Sequence, residues 1–169
     1  TLRAWIVCEC SFRGRRREPM GRNRPGGPDG AGLAGWTELF FLDEVTALSA
    51  GHRPCFYCRR KRAADFLGCF GTAFGIETPR APMLDRRLHA ERLASGGSPP
   101  VIEGGMLSDL PDGTMIACGG SAYALRAGSL LPWSFAGYGE PLDIDLLAGD
   151  RLTLLTPPTT LGVLRCGYQ

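Results

Sequence analysis

Ala50-Gly51-His52-Arg53-Pro54-Cys55-Phe56-Tyr57-Cys58-Arg59-Arg60 is the stretch around which the rest of the chain is read. Two thiols three positions apart at a turn can face one tetrahedral ion, and the cations of residues 59–62 favour thiolate over thiol. Upstream, Asp43 is suited to N-cap a short helix over residues 44–50, and Gly51 ends it in the left-handed conformation. Downstream, the turn opens a helix to about residue 70, with Ala63, Phe66, Leu67 and Phe70 on its buried side. His52 is either a nitrogen ligand replacing one thiol or a residue packed beside the turn. A redox Cys-x-x-Cys pair of the thioredoxin kind needs a preceding β-α-β pattern, which this segment lacks.

Further upstream, residues 3–8 read as a strand leading into Cys8-Glu9-Cys10. Alternate residues of a strand share a face, so both sulfurs can reach one ion; otherwise Cys8 is core and Cys10 incidental. Residues 11–33 form a loop dense in Arg, Gly and Pro, and residues 36–42 again look like a strand. Pro82 starts a third helix with Leu84, Leu88 and Leu93 along its apolar stripe, stopped by Gly96-Gly97. From residue 107 the pattern changes. Residues 114–118, 121–126, 129–134 and 151–155 alternate as strands, with Gly119-Gly120 and Ala127-Gly128 as turns. Pro157-Pro158 leads a final short helix. The fold class expected is α+β: a zinc-pinned helical N-terminal half, then a small antiparallel β-meander and a short C-terminal helix. Residues 1–96, with the basic loop 11–33, make the metal-binding lobe and residues 107–169 the β-rich lobe, packed as one compact domain.

The 169 residues are 44% apolar, enough for a core, and no run nears the 18 uncharged apolar residues of a membrane span. Residues 1–62 carry 12 Arg and Lys against 6 acidic residues, whereas residues 63–169 carry 7 against 11. That polarity suits a basic face for phosphate-bearing partners. It also fits simple arginine bias, since Lys61 is the single lysine beside 18 arginines. Seven cysteines, an odd number with two tight pairs, argue for metal ligands and small core residues over a disulfide framework. A reducing, cytoplasmic setting is expected.

The candidate metal site is therefore Cys55, Cys58, Cys8 and Cys10, with His52 as substitute ligand and Zn2+ as the ion. Two basic clusters flank it: Arg13, Arg15, Arg16, Arg17, Arg22 and Arg24, and then Arg59, Arg60, Lys61 and Arg62. If the cysteines share one metal, both clusters start within a few residues of it, which points to nucleic acid, DNA more than RNA. Candidate catalytic residues are Asp85, His89 and Glu91. Asp85 and His89 share a helix face with Arg92 one turn on, as a polar trio or as a solvated face. Zinc deaminases place His-x-Glu before Pro-Cys-x-x-Cys. Here His89-Ala90-Glu91 lies 31 residues after Cys58, in reversed order.

Residues 40–58, Phe-Phe-Leu-Asp-Glu-Val-Thr-Ala-Leu-Ser-Ala-Gly-His-Arg-Pro-Cys-Phe-Tyr-Cys, resemble the second half of the Ada-type metal-binding domain. The shared features are an aromatic strand, a short helix ending Ala-Gly-x-Arg-Pro, and the Cys-x-x-Cys pair. The resemblance implies four cysteine ligands to zinc, with one cysteine of the earlier pair accepting a methyl group from a damaged DNA phosphate. This chain departs from that family in the Cys8-Glu9-Cys10 spacing, in the longer segment between the pairs and in having His52 where an aromatic is usual. Residues 37–44, 88–93 and 131–134 are similar to stretches of uncharacterised bacterial proteins. Three classes of function follow: a zinc-stabilised nucleic-acid-binding protein related to DNA repair; an enzyme, either a metal-thiolate methyl acceptor or a hydrolase using Asp85, His89 and Glu91; and a structural or protein-interaction domain.

Overall fold

The computed structural model describes residues 3–16, 26 and 39–169. Expectations for Arg17, Arg22, Arg24, most of the 11–33 loop and residues 36–38 lie outside that set. Within it the chain is mixed helix and strand, with an antiparallel sheet and a C-terminal helix.

The first elements are short. Strand β1 (Ile6–Val7) precedes a hairpin of β2 (Ser11–Phe12) and β3 (Arg15–Arg16). The expected strand over residues 3–8 thus narrows to two residues, and the start of the basic loop is a hairpin instead. Its two-residue turn is Arg13-Gly14, both with positive φ (49° and 76°), the conformation that lets two strands reverse tightly. Residues 39–42 form no strand.

Helix α1 (Glu44–Ser49) starts as its sequence dictates: Asp43 accepts from the Thr46 N–H at 2.8 Å, and Thr46 Oγ1 accepts from the Asp43 N–H at 3.2 Å. Gly51, at φ 77°, turns the chain into β4 (Arg53–Pro54), which runs parallel to β1 with Ile6 opposite Arg53 and Val7 opposite Pro54. Helix α2 (Arg60–Phe74) and helix α3 (Ala81–Leu93) follow. Phe66, Phe70, Leu84 and Leu88 are buried at helical spacing, whereas Leu93, expected on the stripe, is 64% exposed where the helix runs out.

The second half is built on strands β5 (Val101–Glu103), β6 (Met115–Cys118), β7 (Ser121–Arg126), β8 (Ser129–Ser134), β9 (Gly137–Tyr138), β10 (Leu142–Asp143) and β11 (Arg151–Leu154). They pair antiparallel in the order β10-β8-β7-β6-β11-β5, with β9 also on β8. At Gly104 the sheet and the following turns approach so closely that an added Cβ would lie 1.8 Å from the Leu147 carbonyl oxygen, so no other residue fits.

Helix α4 (Pro158–Arg165) joins the halves. Its Val163 and Leu164 complete the helical cluster of Leu48, Phe66, Phe70, Leu84, Leu88 and Tyr168, while its Leu161 enters the sheet cluster. The β-rich lobe is consequently not separate from the helical one, because α4 packs against α2 and α3. Among the described residues no helix is long and apolar enough to cross a membrane.

Candidate metal centre

Parallel pairing of β1 and β4 puts two cysteines side by side. Arg53 N–H donates to the Trp5 carbonyl at 3.0 Å and Cys55 N–H to the Val7 carbonyl at 3.1 Å, so the chain leaves both strands in register at Cys8 and Cys55. Cys58 closes over them from the turn that precedes α2. The sulfurs of Cys8, Cys55 and Cys58 all lie within 4.8 Å of one another. Three thiolates 2.3 Å from a tetrahedral zinc would sit ~3.8 Å apart, so the cluster needs little movement to close on an ion. Two backbone donors already face the sulfurs: Glu9 N–H to Cys58 Sγ at 3.3 Å and Tyr57 N–H to Cys55 Sγ at 3.4 Å.

The electrostatics of the cluster favour a cation. Burial, with the charge of Cys55 next, pushes the Cys8 thiol up to about 12. Burial also opposes ionisation of Cys55, but backbone N–H groups of Cys58 and Tyr57 outweigh it and hold that thiol below its ordinary value. Ionisation of Cys55 is thus eased while its neighbour Cys8 resists a second negative charge. A divalent ion removes that conflict by neutralising both.

Cys10 stands apart from the other three. It is exposed and outside the sulfur cluster. The strand ends at Val7 and the chain bends at Cys10, so the alternation that would align residues 8 and 10 does not continue. His52 is also outside the cluster. Its ring packs against Trp5 (centroids 5.2 Å apart) and Phe41 (4.7 Å), and it is 8% exposed. Burial, with Arg92 adding, pulls its pKa down to about 4, so the ring is neutral at pH 7.

Asp85, His89 and Glu91 are not brought into one site. Both carboxylate oxygens of Asp85 are bound by Arg53, Nε at 2.7 Å and Nη2 at 3.0 Å, in an ion pair whose side chains are 8% and 12% exposed. Arg53 is the arginine of the Ala-Gly-x-Arg-Pro string, and this pair ties β4 to α3. Glu91 accepts from Thr159, N–H at 3.1 Å and Oγ1 at 2.5 Å, and so caps the start of α4. His89 is half-buried and lines neither the cleft beside the cysteines nor the one beside Pro157 and Pro158. Arg92 donates to the carbonyls of Gly51 (2.8 Å) and Arg3 (2.7 Å) and stacks on Trp5 at 4.1 Å. It clamps the N-terminal segment to the α1 turn.

The basic residues divide into two kinds. Arg59 pairs with Glu44 at 2.6 Å and Glu9 at 3.0 Å, and Arg62 pairs with Glu44 and stacks on Tyr168 at 4.4 Å. Burial would raise the Glu44 carboxyl, but bonds from Arg62, Tyr168 and Arg59 outweigh it and hold the group below its usual range. Glu44, fifteen or more residues upstream of these arginines, is the hub that sequence spacing did not reveal. Arg60 and Lys61, by contrast, are exposed, as are Arg13, Arg15 and Arg16 on the β2–β3 hairpin. Phe12 packs edge-on against Tyr57 at 5.4 Å, which seats that hairpin on the cysteine turn.

No family model, curated protein or solved structure matches this chain.

Proposed function

We propose that Cys8, Cys55 and Cys58 hold one zinc ion and that the surface built on this knuckle binds the phosphate backbone of nucleic acid. Three soft thiolates suit zinc among the common divalent ions, and a structural zinc would pin β1, β4 and the start of α2, where little apolar surface is buried. The observation that supports the reading most is the seating of the arginine hairpin on the cysteine turn through Phe12 and Tyr57. Metal and cations belong to one unit. Arg13, Arg15, Arg16, Arg60 and Lys61 supply the phosphate contacts, while Arg59 and Arg62 are engaged by Glu44. The hydrolase alternative has no such support, since Asp85 and Glu91 both serve the packing of the fold.

Binding of labelled oligonucleotides across a salt series tests the reading. Each phosphate contact contributes a slope of about −0.9 in log affinity against log salt for duplex DNA and about −0.7 for a single strand. Replacing Arg15 and Arg16 by alanine should remove about 1.8 or 1.4 from the slope, respectively, with unchanged metal content. Absence of binding at low salt would leave a zinc-stabilised interaction domain as the reading in front.

A further inference from the structure

Beside the cysteine knuckle lies a cleft of about 890 Å3, in the range of small-molecule sites. Its wall is apolar and aromatic. Trp5 is 44% exposed, Phe40 48% and Leu39 62%, hydrophobic side chains that line one cleft and are uncovered among the described residues. His52 lines the same cleft, its ring packed against Trp5 and Phe41.

The charges around this cleft sort its occupant. Two carboxylates line it, and both are engaged: Glu9 by Arg59 at 3.0 Å, and Asp43 by the Tyr138 O–H at 2.9 Å and the Thr46 N–H. They disfavour a phosphate inside. Ser11, which also lines the cleft, is the first residue of the hairpin carrying Arg13, Arg15 and Arg16. The arrangement is an aromatic slot whose lining charges, Glu9, Asp43 and Arg59, are engaged within the fold, with a basic rim. Proteins that hold single strands combine the same two parts, stacking faces for bases and a cationic track for the backbone.

We infer that this cleft takes an unpaired base, stacked on Phe40 beside Trp5, so that the chain binds single-stranded nucleic acid in preference to duplex. The inference rests on the nucleic-acid reading above and specifies its substrate class. A paired base in a duplex cannot enter the slot, whereas the phosphates flanking an unpaired one reach the hairpin.

Fluorescence anisotropy of the full chain, purified with its metal, tests this with three labelled probes at low salt: oligo(dT), oligo(rU) and a duplex of equal length. Oligo(dT) or oligo(rU) should bind at least tenfold more tightly than the duplex. Phe40→Ala should weaken single-strand binding about tenfold and leave duplex binding and the salt slope unchanged, since stacking carries no counterion release. Phe40→Trp should restore it. Phe40 is half exposed, so its replacement leaves the fold intact; thermal melting checks this. Duplex binding equal to single-strand binding, or no effect of Phe40→Ala, would overturn the inference while arginine-dependent binding kept the broader reading. No binding to any probe would overturn both.

Discussion

In the sheet, eight buried leucine and isoleucine side chains from the strands, turns and α4 pack into one cluster. Around the cysteine knuckle, β1 and β4 are two residues each and bring two buried apolar side chains, Val7 and Pro54. What holds the knuckle instead is polar: the Arg53–Asp85 pair, the Glu44 hub, the Arg92 clamp and three sulfurs in contact range. The contrast shows how one chain can stabilise one region by burying area and another by satisfying charges. Small lobes with too little core commonly depend on a metal in this way.

The two regions should therefore fail under different insults. Chelation of the proposed zinc should have the largest effect and a local one, because structural zinc contributes on the order of 10 kcal/mol to a folded site. Hydrogen exchange should then accelerate through residues 5–9 and 53–59 while β6, β7 and β8 keep their protection. Uniform loss of protection would break the comparison. Asp85→Ala should come next, at about 4 kcal/mol in chemical denaturation, since it strands a buried arginine. A loss under 1 kcal/mol would mean that Arg53 finds water and that the pair is not a brace.

Leu152→Ala, at a fully buried position of the central sheet, should cost about 3 kcal/mol and leave metal content at its wild-type value. Loss of metal in that variant would show that the lobes are coupled more tightly than α4 suggests. Acid should act on the knuckle side. His52 takes a proton near pH 6.5 when unfolded but only near pH 4 when folded. Between those values the unfolded state binds more protons, so its contribution is complete above about pH 6.5 and is lost as pH falls to about 4. The steepest slope for one such group is about 1.4 kcal/mol per pH unit. His52→Phe should flatten the stability profile in that window relative to the native chain. Parallel profiles would mean that the histidine is not the titrating group.

Much of this architecture was legible because it is local. Asp43, Thr46 and Gly51 bound α1 through contacts within a few residues, and Gly119-Gly120 and Ala127-Gly128 mark hairpins by their turn geometry. Strand β5 was not, because Val101–Glu103 is three residues long and exists through its pairing with β11, some fifty positions away. The β2–β3 hairpin was not legible either, because its arginine-rich strands lack apolar alternation. In the site, the Cys55 and Cys58 pair follows from spacing alone. Cys8 rather than Cys10 as their companion does not, since it depends on where β1 ends. The silencing of Arg59 and Arg62 by Glu44 likewise needed the packing of α1 on α2.

X-ray absorption at the zinc edge of the purified chain tests the central claim most directly. The account predicts one zinc per chain with three sulfurs at about 2.3 Å and a fourth, lighter ligand. A chain without metal, or a shell of nitrogen and oxygen alone, would contradict it.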